Sequence, residues 1–356
     1  MTRRTTAVRR LTALAAVPLL AVLVAPPAGA APAAFPDQTG IDPAALPRGP
    51  APTALHTEGT SIVDGRATIQ TNLTGRLQLV GRAAPGAGYV VASFIQDGEV
   101  GTLWRVRADG STRRLRDLGG GGGFGSGGHD ARTSPDGRRV AWTEPAGRRT
   151  LLRVARTSDG SLVGQRRYRG MVEVLDVGGQ VLLAGGPPKR TIWYRAATDR
   201  SRVVRGLDLW SADLESDRAV RAVPDEVNGQ YDGICVAYLP LSAPSQELWR
   251  SCTDKPLAFS PDGRLVISAN IEADGRGTGM LQVRTAETFR VRATLRTGGF
   301  FGDPYWEDDD SFLVHTWRKG KAAIVRVSRD GTIERVSEVA SEPDGDDKLG
   351  WSFPPS

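Results

Sequence analysis

Residues 133–144 read TSPDGRRVAWTE, and residues 259–270 read FSPDGRLVISAN. Each sets Ser-Pro-Asp-Gly between a short extended run and a run of alternating apolar residues. Proline suits the second position of a tight turn, aspartate can accept from the backbone just downstream, and glycine takes positive φ without strain. Both segments therefore predict a hairpin between two strands. WEDDDSFLVHTW (306–317) has the same layout with an acidic turn, and LDVGGQVLLAG (175–185) has it around Gly178-Gly179.

A second pattern follows these hairpins. It reads TLWRVRADGST (102–112), TLLRVARTSDGS (150–161), TIWYRAATDRS (191–201), MLQVRTAETF (280–289) and AIVRVSRDGT (323–332). GICVAYLPLSAPSQELW (233–249) fills the gap between the third and fourth. The leading aliphatic residues Leu103, Leu151, Ile192, Ile234, Leu281 and Ile324 recur at intervals of 41 to 48 residues, and one period earlier lies Ile62 in TSIVDGRATIQT. A period of about 40–45 residues with four short strands per unit is that of propeller blades. No stretch after the N-terminal segment shows helical apolar periodicity over ten or more residues, which argues against an α/β fold. A small sheet with two apolar faces cannot bury them alone, whereas a ring of such sheets buries both. The sequence thus predicts an all-β chain forming a single β-propeller of about seven four-stranded blades. Six is the runner-up, should the Ile62 hairpin only add an edge strand. That hairpin has no two strands before it, and residues 338–356 have no partners after the last full repeat. The two chain ends are expected to build the closing blade together.

The first thirty residues read as an export signal outside the fold. Arg3, Arg4, Arg9 and Arg10 precede the apolar run LTALAAVPLLAVLV and the small residues Ala28-Gly29-Ala30, which predicts a signal peptide cleaved near Ala30. The apolar run is short for a membrane-spanning helix, which needs roughly 20 residues. Residues 31–53, rich in proline and alanine, are expected to be a linker, with the propeller occupying 54–356. Of the formal net charge of +6, four units are the signal arginines, leaving +2. Acids are interspersed among the remaining arginines, as in Arg105, Arg107 and Asp109, so the one-dimensional pattern reads as a mixed surface and not a nucleic-acid stripe. Cys235 and Cys252 are the two cysteines, and in an oxidising compartment an even pair predicts one disulfide. On the blade assignment, Cys235 begins a third strand and Cys252 ends a fourth, so the two are expected to face each other across one hairpin.

The turns Ser134-Pro135-Asp136-Gly137 and Ser260-Pro261-Asp262-Gly263 resemble those of TolB-like (WD40-like) β-propellers, and the resemblance covers most of residues 55–340. The signal segment and the preference for arginine over lysine resemble secreted actinobacterial members. The resemblance implies a propeller that works by interaction. No Trp-Asp dipeptide occurs and Gly-His occurs once, at Gly128-His129, so the recurring signature of true WD40 blades is absent and that family's properties carry over less.

Few residues point to chemistry. GGGGGFGSGGHD (119–130) contains a dinucleotide-like spacing at Gly123, Gly125 and Gly128, but a pyrophosphate needs a helix N-terminus and the pattern predicts a strand next. The stretch reads as a blade-to-blade linker. His56, His129 and His315 fall in different repeats. His129-Asp130 just before one innermost strand, and Asp303 at the matching point of the last full repeat, form a candidate ligand site at the channel mouth. The run Glu307-Asp308-Asp309-Asp310 occupies a turn position and lacks the spacing of a calcium loop. No G-x-S-x-G elbow and no H-E-x-x-H occurs. Trp104, Trp142, Trp193 and Trp306 are expected to fill wedges between blades. Neither cofactor nor metal ion is expected. The reading is a secreted or wall-associated monomer, a non-catalytic scaffold for a protein or envelope component, without nucleic acid and without a membrane span after cleavage. The alternative is an enzyme with a central-channel site, a metal-dependent lactonase or a quinone-type oxidoreductase.

Overall fold

The computed structural model describes residues 35, 37–95, 100–118, 131–186, 189–227, 230–273, 277–341 and 350–355. Strands dominate them, and the one helical element is a single 3-10 turn, Ala196–Thr198. Hydrogen bonding sorts the strands into five four-stranded antiparallel sheets and one nine-stranded sheet, which the long strand Val291–Trp306 divides into two further blades, seven in all. Blade 1 takes Trp351–Ser352 from the C-terminal end, then His56–Glu58, Ser61–Asp64 and Ala67–Gln70 from the N-terminal end. Blade 2 is Arg76–Arg82, Tyr89–Ile95, Val100–Val106 and Thr112–Asp117. Blade 3 is Arg132–Thr133, Arg139–Ala146, Arg149–Arg156 and Leu162–Arg169. Blade 4 is Val172–Val177, Val181–Gly185, Arg190–Arg195 and Arg200–Arg205. Blade 5 is Leu209–Asp213, Arg218–Val227, Gln230–Pro240 and Trp249–Ser251. Blade 6 is Asp254–Phe259, Leu265–Asn270, Thr278–Thr285 and the first half of Val291–Trp306. The second half of that long strand opens blade 7, which continues through Ser311–Arg318, Lys321–Ser328 and Ile333–Arg335, with Ala340–Ser341 also paired to its third strand.

The core lies between blades, as two-faced sheets require. Leu55, Ile62 and Ile69 of blade 1 pack on Leu77, Leu79 and Val91 of blade 2. Phe94 and Leu103 meet Trp142 at the next interface, Leu152 meets Val174 and Ile192, and Trp193 meets Ala219 and Leu239. Tyr238 and Trp249 reach Phe259, and Ala258 and Leu281 reach Trp306 and Phe312. Leu313 and Ile324 of blade 7 then pack on Trp351 of blade 1, so hydrophobic contact runs unbroken from blade to blade. First strands of neighbouring blades touch, which places them innermost and the fourth strands outermost.

The Ser-Pro-Asp-Gly segments behave as their chemistry dictates. In each, the glycine N–H donates to the serine carbonyl, at 2.7 Å for Gly137 and 2.8 Å for Gly263. Asp136 and Asp262 accept from the backbone two residues on, both at 3.0 Å, and from the turn serine. Gly137 and Gly263 take φ of 64° and 68°, the left-handed region that favours glycine.

The closing blade is split between the chain ends, one strand from the C-terminal side and three from the N-terminal side. The proline- and alanine-rich stretch expected as a linker differs from that expectation. Gln38–Ile41 pairs in parallel with Val291–Trp306, and Phe35 is buried against Trp306 and Phe312. Two apolar residues, Phe35 and Ile41, suffice to anchor a segment too short to show periodicity.

Candidate functional site

Strand polarity gives the propeller two distinct faces. The entrances of first and third strands share one face with the exits of second and fourth strands, here termed the entry face. The Ser-Pro-Asp-Gly turns, between first and second strands, sit on the other.

First strands share an irregularity. Their pairing with the second strand shifts at Leu79/Gly81, Val174/Asp176, Leu209/Ser211, Pro256/Ala258 and Phe301/Pro304, in blades 2, 4, 5, 6 and 7. A bulge bends the strand and re-aims the extra residue. The residues so placed are Val80, Leu175, Trp210, Leu257 and the pair Gly302-Asp303. Val80 and Leu175 are buried and Leu257 is half-buried, whereas Trp210 and Asp303 are exposed. Of the three channel-mouth residues read from the sequence, Asp303 is thus at an innermost-strand bulge, and His129 and Asp130 lie outside the described residues, as does the rest of 119–130. That stretch connects the fourth strand of blade 2 to the first strand of blade 3.

The other two histidines converge where sequence spacing gave no warning. His56 stacks on Trp351 with ring centroids 4.3 Å apart, and lies 5.9 Å from Phe353. His315 lies 6.3 Å from the same Phe353 ring, and Tyr305 stacks on it at 4.9 Å. Both imidazoles are buried. Burial lowers the His56 pKa, opposed by its bond to the Ala54 carbonyl and by the charges of Glu58 and Glu307. These rings form the wedge that seats the C-terminal strand.

The acidic run is absorbed by structure. Glu307 pairs with Arg326 at 2.6 Å, and although burial pushes its carboxyl up, that guanidinium and the Thr53 amide hold it lowered overall. Asp308 accepts from Asp310 N–H and Ser311 Oγ, Asp309 accepts from Asp262 N–H of the neighbouring turn, and Asp310 pairs with Arg329. Cys235 and Cys252 form the expected disulfide. Among the described residues, the one group of three metal-type side chains is this pair with Asp225, and both sulfurs are committed to each other. The tryptophans act as wedges and anchors: Trp306 Nε1 donates to the Ala258 carbonyl of blade 6, and Trp142 Nε1 donates to Glu144.

What the sequence reading missed is the apolar character of the entry face. Ile95 (50 % exposed), Met171 (75 %), Trp210 (38 %), Ile234 (39 %) and Phe300 (43 %) come from blades 2, 4, 5 and 7. Ile95, Met171, Trp210 and Phe300 sit at first-strand entrances or a second-strand exit, and Ile234 lies opposite Pro224 in the part of its hairpin that extends past the first-strand entrance at Leu209, so all five share that face. The signal was present as bulky apolar residues at blade entrances, but it is visible only once strand polarity is known. Among the described residues no helix is long and apolar enough to cross a membrane.

No protein-family model matches the chain, and no curated protein matches it. Solved structures do. The β-propeller domain of the Trilobed protease from Pyrococcus furiosus, described as having an open velcro topology, is 13% identical at a TM-score of 0.50, with 74% of this chain and 86% of that one covered. Dihydro-heme d1 dehydrogenase NirN, solved in complex with DHE, is 13% identical at a TM-score of 0.50, with 89% of this chain and 81% of that one covered. TolB from Acinetobacter baumannii is 12% identical at 0.45, with 78% and 66% covered. The likeness to the protease domain is one of fold, and the fold is a β-propeller.

Proposed function

We propose that this chain is an exported, non-catalytic propeller scaffold that holds a protein or envelope partner against its entry face. The observation that carries the reading is the set of exposed apolar side chains on that face, led by Met171, Trp210 and Phe300. Water-exposed apolar groups gathered on one surface mark interaction sites more often than isolated ones do. Packing of His56 and His315 into the closing wedge and the use of the acidic run in turns support it further. Export with cleavage near Ala30 and a monomeric state belong to the same proposal, as does Asp303 as a polar contact on that face. Capture of partners from envelope and secreted fractions should be lost in a Met171→Asp, Trp210→Asp, Phe300→Asp variant. It should persist in Leu162→Asp, Val291→Asp, which alters exposed apolar residues at fourth-strand entrances on the opposite face. Equal capture by both would overturn the reading. A metal or chromophore retained stoichiometrically by the purified protein would favour the channel enzyme instead.

A further inference from the structure

Residues 100–206 hold 21 Lys and Arg against 9 Asp and Glu, a net +12, although the whole chain is only +6. That segment is the outer half of blade 2 with blades 3 and 4, three consecutive sheets. Their outermost strands read TRRLRD, LVGQRRYR and RSRVVR, three arginines each. Strand register adds an independent sign of unbalanced charge. Arg105 lies opposite Arg113, Arg139 opposite Arg156, Arg149 opposite Arg169, Arg190 opposite Arg205, and Arg195 opposite Arg200. Across the pairings within the other four blades, one basic pair occurs, Arg318 opposite Lys321.

Like charges directly opposite each other on antiparallel strands are destabilising. Five such pairs in three adjacent sheets are a repeated cost that the fold alone does not require. Neutralising partners are few: Asp117 takes Arg114, Glu144 takes Arg153, Asp199 takes Arg166, and Asp208 takes Lys189. Arg149, Arg167, Arg169, Arg200 and Arg205 are exposed, and no described carboxylate lies within ion-pair distance of them. Arg105 is buried (6 % exposed) beside Arg107 and Arg113, and it donates to the Ser158 carbonyl instead of to an acid.

We propose that the outer rim of blades 2–4 binds a flexible linear polyanion whose repeat is a phosphodiester without bases. Guanidinium groups suit phosphate oxygens geometrically, and a row of them along adjacent strand edges suits a chain better than a single ion. A base-bearing chain is disfavoured because single-strand binding relies on aromatic stacking platforms. The three outermost strands carry one aromatic residue, Tyr168, and it is buried. The rim meets the entry face at the fourth-strand exits Arg169 and Arg205, and the probe separates the two proposals: the Met171→Asp, Trp210→Asp, Phe300→Asp variant should still bind the polyanion.

Binding of poly(glycerol phosphate) to the whole protein, followed by titration at rising NaCl, tests the rim. The expected result is binding that weakens linearly in log K against log salt. Replacing Arg167, Arg169, Arg200 and Arg205 by glutamine should flatten that slope by about 3, at roughly 0.7 for each phosphate no longer neutralised. The same variant should melt no lower than wild type, because opposed positive charges have been removed. Arg292→Gln with Arg296→Gln, on the fourth strand of blade 6, should leave the slope unchanged. No binding, an equally flattened slope in both variants, tighter binding to duplex DNA, or equal binding to polyglutamate would each overturn the proposal.

Discussion

Replacing Trp351 by alanine is expected to unfasten the propeller at its closing blade. Trp351 is 7 % exposed, stacks on His56, and joins Leu313 and Ile324 of blade 7 to blade 1. Truncating a buried tryptophan costs about 3–5 kcal/mol, of which roughly 0.5–1.5 belongs to ring stacking beyond the area buried. Its strand contributes little else, because Trp351–Ser352 is two residues long and pairs only with Thr57 and Glu58. The side chain therefore carries most of the closure. Scanning calorimetry should show the melting temperature falling by roughly 6 °C or more, at about 2–4 °C per kcal/mol for a sizeable domain. Hydrogen exchange should localise the effect: amides of His56–Gln70 should exchange faster in the variant, while Val172–Arg205 of blade 4 keep their protection. A melting temperature within 1 °C of wild type, with unchanged exchange in blade 1, would refute closure by this strand.

Two further outcomes follow from the same geometry. The pKa of His56 is lowered by burial, so as pH falls below about 6.5 the unfolded chain takes up a proton that the folded ring resists, and stability present above that pH is lost. Urea midpoints between pH 7.5 and 5 should fall more steeply for wild type than for His56→Gln. Gly137→Ala and Gly147→Ala both place a side chain at positive φ, which costs about 1–2 kcal/mol. A Cβ at Gly137 would also collide with the Ala83 backbone of blade 2, whereas Gly147 faces open space, so denaturation should show the first variant clearly the less stable.

The fold was legible because turn chemistry and strand alternation are local. Ser-Pro-Asp-Gly fixes a hairpin within four residues, and the recurrence of the leading aliphatic residue counts the blades. The disulfide was legible for the same reason, since Cys235 sits on the third strand of its blade and Cys252 follows directly on the fourth strand paired with it. The N-terminal strand was not, because Gln38–Ile41 pairs with residues more than 250 positions away and buries one of its four side chains. The convergence of His56 and His315 on Phe353 was hidden likewise, because the contact exists only when the two ends of the chain meet.

Charge gives the sharper lesson. Along the chain Arg105, Arg107 and Asp109 look balanced, as do Asp199 and Arg200, and the reading of a mixed surface follows. A sheet does not preserve that neighbourhood. Asp109 belongs to the turn and bonds Ser111 N–H, while the strands on either side bring Arg105 against Arg113. Asp109, Asp136 and Asp159 are drawn into turns, where their carboxylates accept backbone N–H groups, while most of the arginines are left on the strands. Folding thus separates charges that the sequence interleaves, and the separation recurs wherever an Asp-containing turn joins a third strand to an arginine-rich fourth. Blades 2, 3 and 4 share that arrangement through Asp109, Asp159 and Asp199, so their rim becomes cationic as a consequence of turn chemistry and not of any basic run.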